Sequence, residues 1–306
     1  MGYELNGSKS FSHEIKRIVT EQIDKALDCL KQTGRNKDEG IHDARVCVKK
    51  IRALLRLVQD SLGPDSYASE DKAYRDTART LSKIRDSAAM LEITDMLVDH
   101  FSEQLSKGAF ADVRKTLASS KNAKRSGQVS AMTEAAKQLR EARRRIQSWP
   151  KVKHTTALSK GLKRVFKQGR DHFSLAYEDP SLDTFHEWRK QVKHLLYQSK
   201  VLTPLWHNTM KTLSGELKTL GKYLSEDHDL GLLRDVVIEQ LEDTDDRTEI
   251  EAFVALIDQR RNELQEEARV LGLRIYADKP GAFASRTGAY WRAWRAERKS
   301  DPIVVG

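Results

Sequence analysis

Helix breakers are scarce in this chain, with six prolines and sixteen glycines among 306 residues. That excludes collagen-like repeats and proline-rich or glycine-rich disordered stretches, and it leaves long segments free to be helical. Cysteine is nearly absent: Cys29 and Cys47 are too few for a disulfide framework, and their separation matches no C-x-x-C zinc spacing. A reducing, cytoplasmic setting is therefore expected. No run approaches the roughly 20 apolar residues needed to cross a bilayer, and the N-terminal stretch lacks the apolar core of a signal peptide, so membrane insertion is not expected. Also missing are G-x-x-x-x-G-K-[ST], G-x-S-x-G and any alternating acidic strand of the kind a metal-dependent triphosphatase requires. No catalytic residue, cofactor or enzymatic activity is expected. The one dense acidic segment, "SEDHDL" at 225–230, fits neither an EF-hand loop nor H-E-x-x-H, so no metal site is expected.

What the chain does have is charge of both signs, with cations in excess. Fifty-four Lys and Arg face 45 Asp and Glu, a formal net charge of +9. Such a balance points to a polyanionic partner: nucleic acid, an acidic membrane surface or a phosphate polymer. Apolar residues recur at helical spacing, for example Ile15, Ile18, Val19, Ile23, Ala26, Leu27 and Leu30, and no alternating strand pattern stands out. Breaks are predicted near 33–40, 63–64, 121–127, 149–150, 178–181, 203–204, 242–247 and 279–281, which implies an all-α fold of about eight to ten helices.

The chain also repeats itself. "IHDARVCVKKIRALLRLV" from Ile41 aligns with "FHEWRKQVKHLLYQSKVL" from Phe185, placing His42 and His186 144 positions apart (186 − 42). The alignment pairs Asp43 with Glu187, Arg45 with Arg189, Val48 with Val192, Lys49 with Lys193 and Arg56 with Lys200. Downstream, "RTLSKIRDSAAML" aligns with "KYLSEDHDLGLLR", pairing Arg85 with His228 and Asp86 with Asp229 at an offset of 143 (229 − 86). Two blocks in the same order at nearly one offset describe a duplication. The halves are set at residues 8–155 and 156–300, each read as a bundle of about four helices.

On a helical wheel His42, Arg45, Lys49, Arg52 and Arg56 share an arc of about 80°, opposite Ala44, Val48, Ile51, Leu55 and Val58. His186, Arg189, Lys193 and Lys200 repeat that arc, opposite Trp188, Val192, Leu195 and Leu202. Leu196 replaces Arg52, and Lys190 and His194 are added cations off the arc. An ordinary solvated face mixes signs, because like charges at i,i+4 repel. These arcs contain no carboxylate, which suits a bound anion running along the helix. Arg140 and Arg144, in "KQLREARRRIQSW", could extend the basic surface. So could Lys163, Lys167 and Arg170. Tyr290, Trp291 and Trp294, interleaved with arginines, fit core packing of a last helix better than a base-stacking platform.

The two copies of H-x-x-R-x-x-x-K, with the two downstream L-x-x-x-R/H-D blocks, resemble the CHAD family, the conserved-histidine α-helical domain. The resemblance runs from about Ser10 to Arg295 and treats residues 1–306 as one CHAD domain. It implies two four-helix bundles related by a pseudo-twofold axis, with a basic surface around their junction that binds inorganic polyphosphate. On that resemblance the anion-binding residues are His42, Arg45, Lys49, Arg52, Arg56, His186, Arg189, Lys193 and Lys200, joined by Arg85 and His228 of the second block. The acidic pair Glu226 and Asp227 departs from the pattern and sets the second half apart. The competing expectation is an RNA-binding protein using the same cations on the sugar-phosphate backbone. Few aromatics lie on the arcs, whereas single-strand binding stacks bases on rings.

Overall fold

The computed structural model describes residues 2–32, 37–82, 86–106, 108–119, 128–241 and 247–300. Every regular element among the described residues is a helix, as the periodicity requires, and none is long and apolar enough to cross a membrane. In the first half these are α1 (Phe11–Cys29), α2 (Lys37–Leu62), α3 (Pro64–Ser82), α4 (Asp86–His100), α5 (Ala111–Ser119) and α6 (Gln128–Arg145). A single turn α7 (His154–Thr156) passes through a π-helical turn (Ala157–Gly161) into α8 (Leu162–Glu178). Then follow α9 (Leu182–Val201), α10 (His207–Leu241), α11 (Arg247–Ile275) and α12 (Pro280–Ser300).

Local chemistry sets many of these boundaries. The Ser10 hydroxyl caps α1 by accepting from the His13 amide, and Ser181 with Thr184 forms a reciprocal capping box at the start of α9. Gly63, at φ +81°, ends α2 in the left-handed region, and Pro64 opens α3, where its missing N–H costs nothing.

α2 packs on α1 and α3, and α6 lies across α3 and α1. In the second half α9 is flanked by α8 and α10, and α11 lies along α10. α2 also packs directly on α9, joining the halves, and there the buried Gln198 side chain donates to the Ala53 carbonyl at 2.8 Å. The π-helical turn sits against α2 so tightly that a Cβ on Gly161 would fall 2.0 Å from the Leu57 carbonyl oxygen. Only glycine permits that approach.

Neither apolar cluster stays within one half. The larger runs from Leu5 and α1 through α2, α8 and α9 to Trp294. The smaller joins Ile93, Leu97, Phe101, Phe110 and Leu117 to Leu230, Leu233, Phe253, Ile257 and Leu264. The N-terminal arm straps the junction: the Tyr3 hydroxyl donates to the Lys50 carbonyl (2.9 Å) and the Leu5 amide to the Val201 carbonyl (3.1 Å). Trp291 and Trp294 are buried, with Trp291 edge-on to Phe11 and stacked on His154. They pack the last helix onto the core, as their spacing suggests.

Candidate functional site

A cluster of cations lies where α9 meets α10 and α2. Arg189 donates through Nε to the Ser225 hydroxyl at 2.9 Å, and that hydroxyl donates in turn to the Gly221 carbonyl of α10. One turn on, Lys193 crosses the α10 backbone where Gly221 has no side chain; a Cβ there would lie 3.0 Å from the Lys193 Nζ. Burial, together with Arg189 and Lys200, pushes the Lys193 ammonium down to about 8. Burial likewise lowers Arg189, against the opposing pull of Asp229. Lys200 is lowered by burial and by Lys218 of α10, and Lys50 of α2 by burial and by the nearby Lys25 and Lys200. The Lys50 Nζ rests 4.9 Å from the centre of the Tyr3 ring. Electrostatic influence thus links one track of cations, Arg189, Lys193 and Lys200, then Lys218 and Lys50, then Lys25, with Asp229 acting on Arg189 and Lys193 and Asp43 on Lys50 in the opposite sense. Among the described residues no ion pair joins a carboxylate to any of these cations.

The α2–α9 crossing is antiparallel and reciprocal: Lys50 faces Lys200 at one end, while Arg56 and Arg52 face the buried His194 at the other. The repeat offset of 144 exchanges Lys50 with His194 and Arg56 with Lys200, so each pair maps onto the other. The two ends are not chemically equal. Arg52 is held by Asp71 of α3, through Nε and Nη2 at 3.2 Å, and the Arg56 Nε is buried without a partner. The wheel of α2 alone shows an arc free of carboxylates; the fold brings one to it from a neighbouring helix. Burial, then Arg56 and Arg52, holds His194 well below the ordinary imidazole range.

The expected histidines divide. His42 is exposed near the start of α2, with Arg45 half-buried and Lys49 exposed on the same face. His186 is half-buried, and its ring centre lies 4.2 Å from that of His228 on α10. Burial, Arg189 and Lys190 lower His186; burial, His186, Arg189 and Arg261 push His228 down to about 3. Both shifts favour the neutral imidazole. The acidic pair of the second half does not oppose the track, because it is engaged by α11: Glu226 pairs with Arg260 at 2.8 Å, and Asp227 with Arg261 at 3.1 Å and the Gln265 amide at 2.8 Å. Burial raises Asp227 despite these partners.

Other expected residues stand apart. Lys190 is paired with Glu187 at 2.6 Å. Arg140 and Arg144 are exposed on α6, which packs on α3 and α1, and they take no part in the interactions of Arg189, Lys193 or Lys200. Their neighbour Arg143 is tied to Asp24, and Lys167 to Asp171. Arg85 lies outside the described residues. Lys25, Lys50 and Lys218 escape the sequence reading: Lys50 is off the α2 arc and aligns with a histidine, and the other two sit in mixed-charge stretches. Packing alone brings them to the track.

Three comparisons bear on this arrangement. No curated protein matches the chain. The crystal structure of the CHAD domain from the plant Ricinus communis superimposes with a TM-score of 0.57 at 14% identity, covering 94% of each chain, which establishes a shared fold. The profile of the CHAD domain family matches residues 17–238, a span that holds both copies of the histidine-led block and both downstream blocks. The chain belongs to the CHAD domain family.

Proposed function

We propose that this chain is a non-catalytic binding protein for inorganic polyphosphate, acting in the cytoplasm and at polyphosphate granules. The observation that carries the reading is the set of cations at the α2–α9–α10 junction, crowded and partly desolvated without ion-pairing carboxylates among the described residues. Elsewhere the protein pairs partly buried cations with carboxylates, as in Arg52–Asp71, Arg260–Glu226 and Arg261–Asp227. Crowding cations costs free energy that an arriving polyanion offsets. Polyphosphate fits better than RNA because the rings beside these cations are engaged among the described residues: Tyr197 is buried, and Lys50 lies over one face of the Tyr3 ring. Of the site residues that the family resemblance carries, Arg189, Lys193 and Lys200 of α9 belong to this set, whereas its α2 member is Lys50.

Competition tests the assignment. A labelled polyphosphate chain bound to the protein is challenged with single-stranded RNA at equal phosphate concentration. Retention of the label is expected, and ready displacement by RNA assigns the surface to nucleic acid.

A further inference from the structure

Lys193 has a setting that anion binding alone does not require. Its Nζ is drawn back over the bare backbone at Gly221, no carboxylate pairs with it among the described residues, and cations flank it on its own helix. Arg189 lies one turn before it, about 6 Å along the helix, and Lys200 two turns after. The charged groups acting on it from the elements around it are Arg189 and Lys200 on α9 and Asp229 on α10. A small phosphate seated on Arg189 or Lys200 would hold whatever it carries beside the Lys193 nitrogen, and such proximity accelerates transfer.

We propose that Lys193 is an acceptor for acyl groups delivered by acyl phosphates, with Arg189 and Lys200 docking the phosphate. The neutral amine attacks the acyl carbon, a C–N bond forms, and the C–O bond to phosphate breaks. Orthophosphate leaves with the electron pair, and the ammonium proton passes to solvent. The depressed basicity of Lys193 supplies the neutral amine near pH 8. The product is a neutral amide in the middle of the track, so acylation switches off polyanion binding, and bound polyphosphate shields the amine. The inference rests on the phosphate-binding reading of the cluster.

Acetyl phosphate is the probe. The full-length protein is treated at pH 8, and acetylation at each lysine is followed by peptide mass spectrometry, beside a parallel reaction with N-acetoxysuccinimide, which carries no phosphate. Lys193 is expected to react at least about tenfold faster than the exposed Lys211 and Lys222 with acetyl phosphate. Arg189→Gln also restores some basicity to Lys193, which slows both reagents alike, so the expected signature is a further slowing of about fivefold or more with acetyl phosphate beyond that seen with N-acetoxysuccinimide. Should that variant not melt cooperatively, Lys200→Gln takes its place. A Lys193 rate no higher than that of Lys211 and Lys222, or equal slowing with both reagents, overturns the proposal. Polyphosphate binding is measured separately on the same sample: binding without acetylation removes this inference alone, and Arg189-dependent acetylation without polyphosphate binding removes the polymer assignment alone.

Discussion

Lys193 is ordinarily a base near 10.5, lowered here to about 8 by burial and two cations. A bound polyanion stabilises the ammonium and restores the higher value, so binding above pH 8 takes up a proton. Affinity for polyphosphate should therefore be level from pH 6 to 7.5 and fall as pH rises through 8, by up to about tenfold per unit from this group. Anisotropy titrations across pH 6–10 check this, and Lys193→Arg should flatten the profile. His186 and His228 act through stability instead: both are held neutral in the fold but take up protons near 6.5 when unfolded, so folding stability should decline as pH drops below about 6.5. Lys49→Glu combined with Lys193→Glu should weaken binding by about a hundredfold or more while cooperative melting persists, because both side chains lie opposite the apolar stripe of their helices. The repeated block made Lys193 and Arg189 legible, since a 3.6-residue period fixes which side chains share a face. The Arg52–Asp71 pair was not legible. Its partners are on different helices, and nothing in the α2 pattern says which neighbour will supply a carboxylate.

Between α2 and the π-helical turn, contact depends on a missing side chain. Gly161→Val should force the two apart and cost about 2–4 kcal/mol, read from the urea midpoint. The same closeness explains why the helical pattern could not foretell a π turn: it is set by the Leu57 carbonyl of another element. Breaks at Gly63-Pro64, Trp149-Pro150, 178–181, 203–204 and Pro280 were readable because each carries a proline, a glycine or a polar cap. The break between α4 and α5 was not. Its only conventional signal is Gly108, and it turns through Phe110 at φ 62°, a residue with no intrinsic preference for that region. Burial of Phe110 against Phe253 of α11, with ring centres 4.9 Å apart, holds it there.

At the scale of the molecule, the sequence repeats two short blocks and invites a division near residue 155, while each of the two apolar clusters among the described residues draws on both sides of that point. A chain ending at residue 155 would strand Ile93, Leu97, Phe101 and Phe110 without Leu230, Leu233 and Phe253. It would also expose the α2 face that covers α9. Residues 1–155 alone should show no cooperative thermal transition, and adding residues 156–306 in trans should restore one; a cooperative melt of the isolated half would mean that it folds on its own. The pattern of one half's surface cannot reveal such dependence, because the apolar stripe of α4 looks the same whichever helix covers it. The reciprocal crossing has one more consequence, which concerns the ligand and not the protein. Helices that run in opposite directions past each other present related groups to a strand read from either end. An RNA strand has a 5′ and a 3′ end, so it meets the two arms as different molecules. Linear polyphosphate has no direction, and its two ends are chemically the same. On the proposed reading, a linear polyphosphate would therefore meet the unequal arms of the crossing identically from either end, whereas an RNA strand would have two distinguishable ways to lie across them.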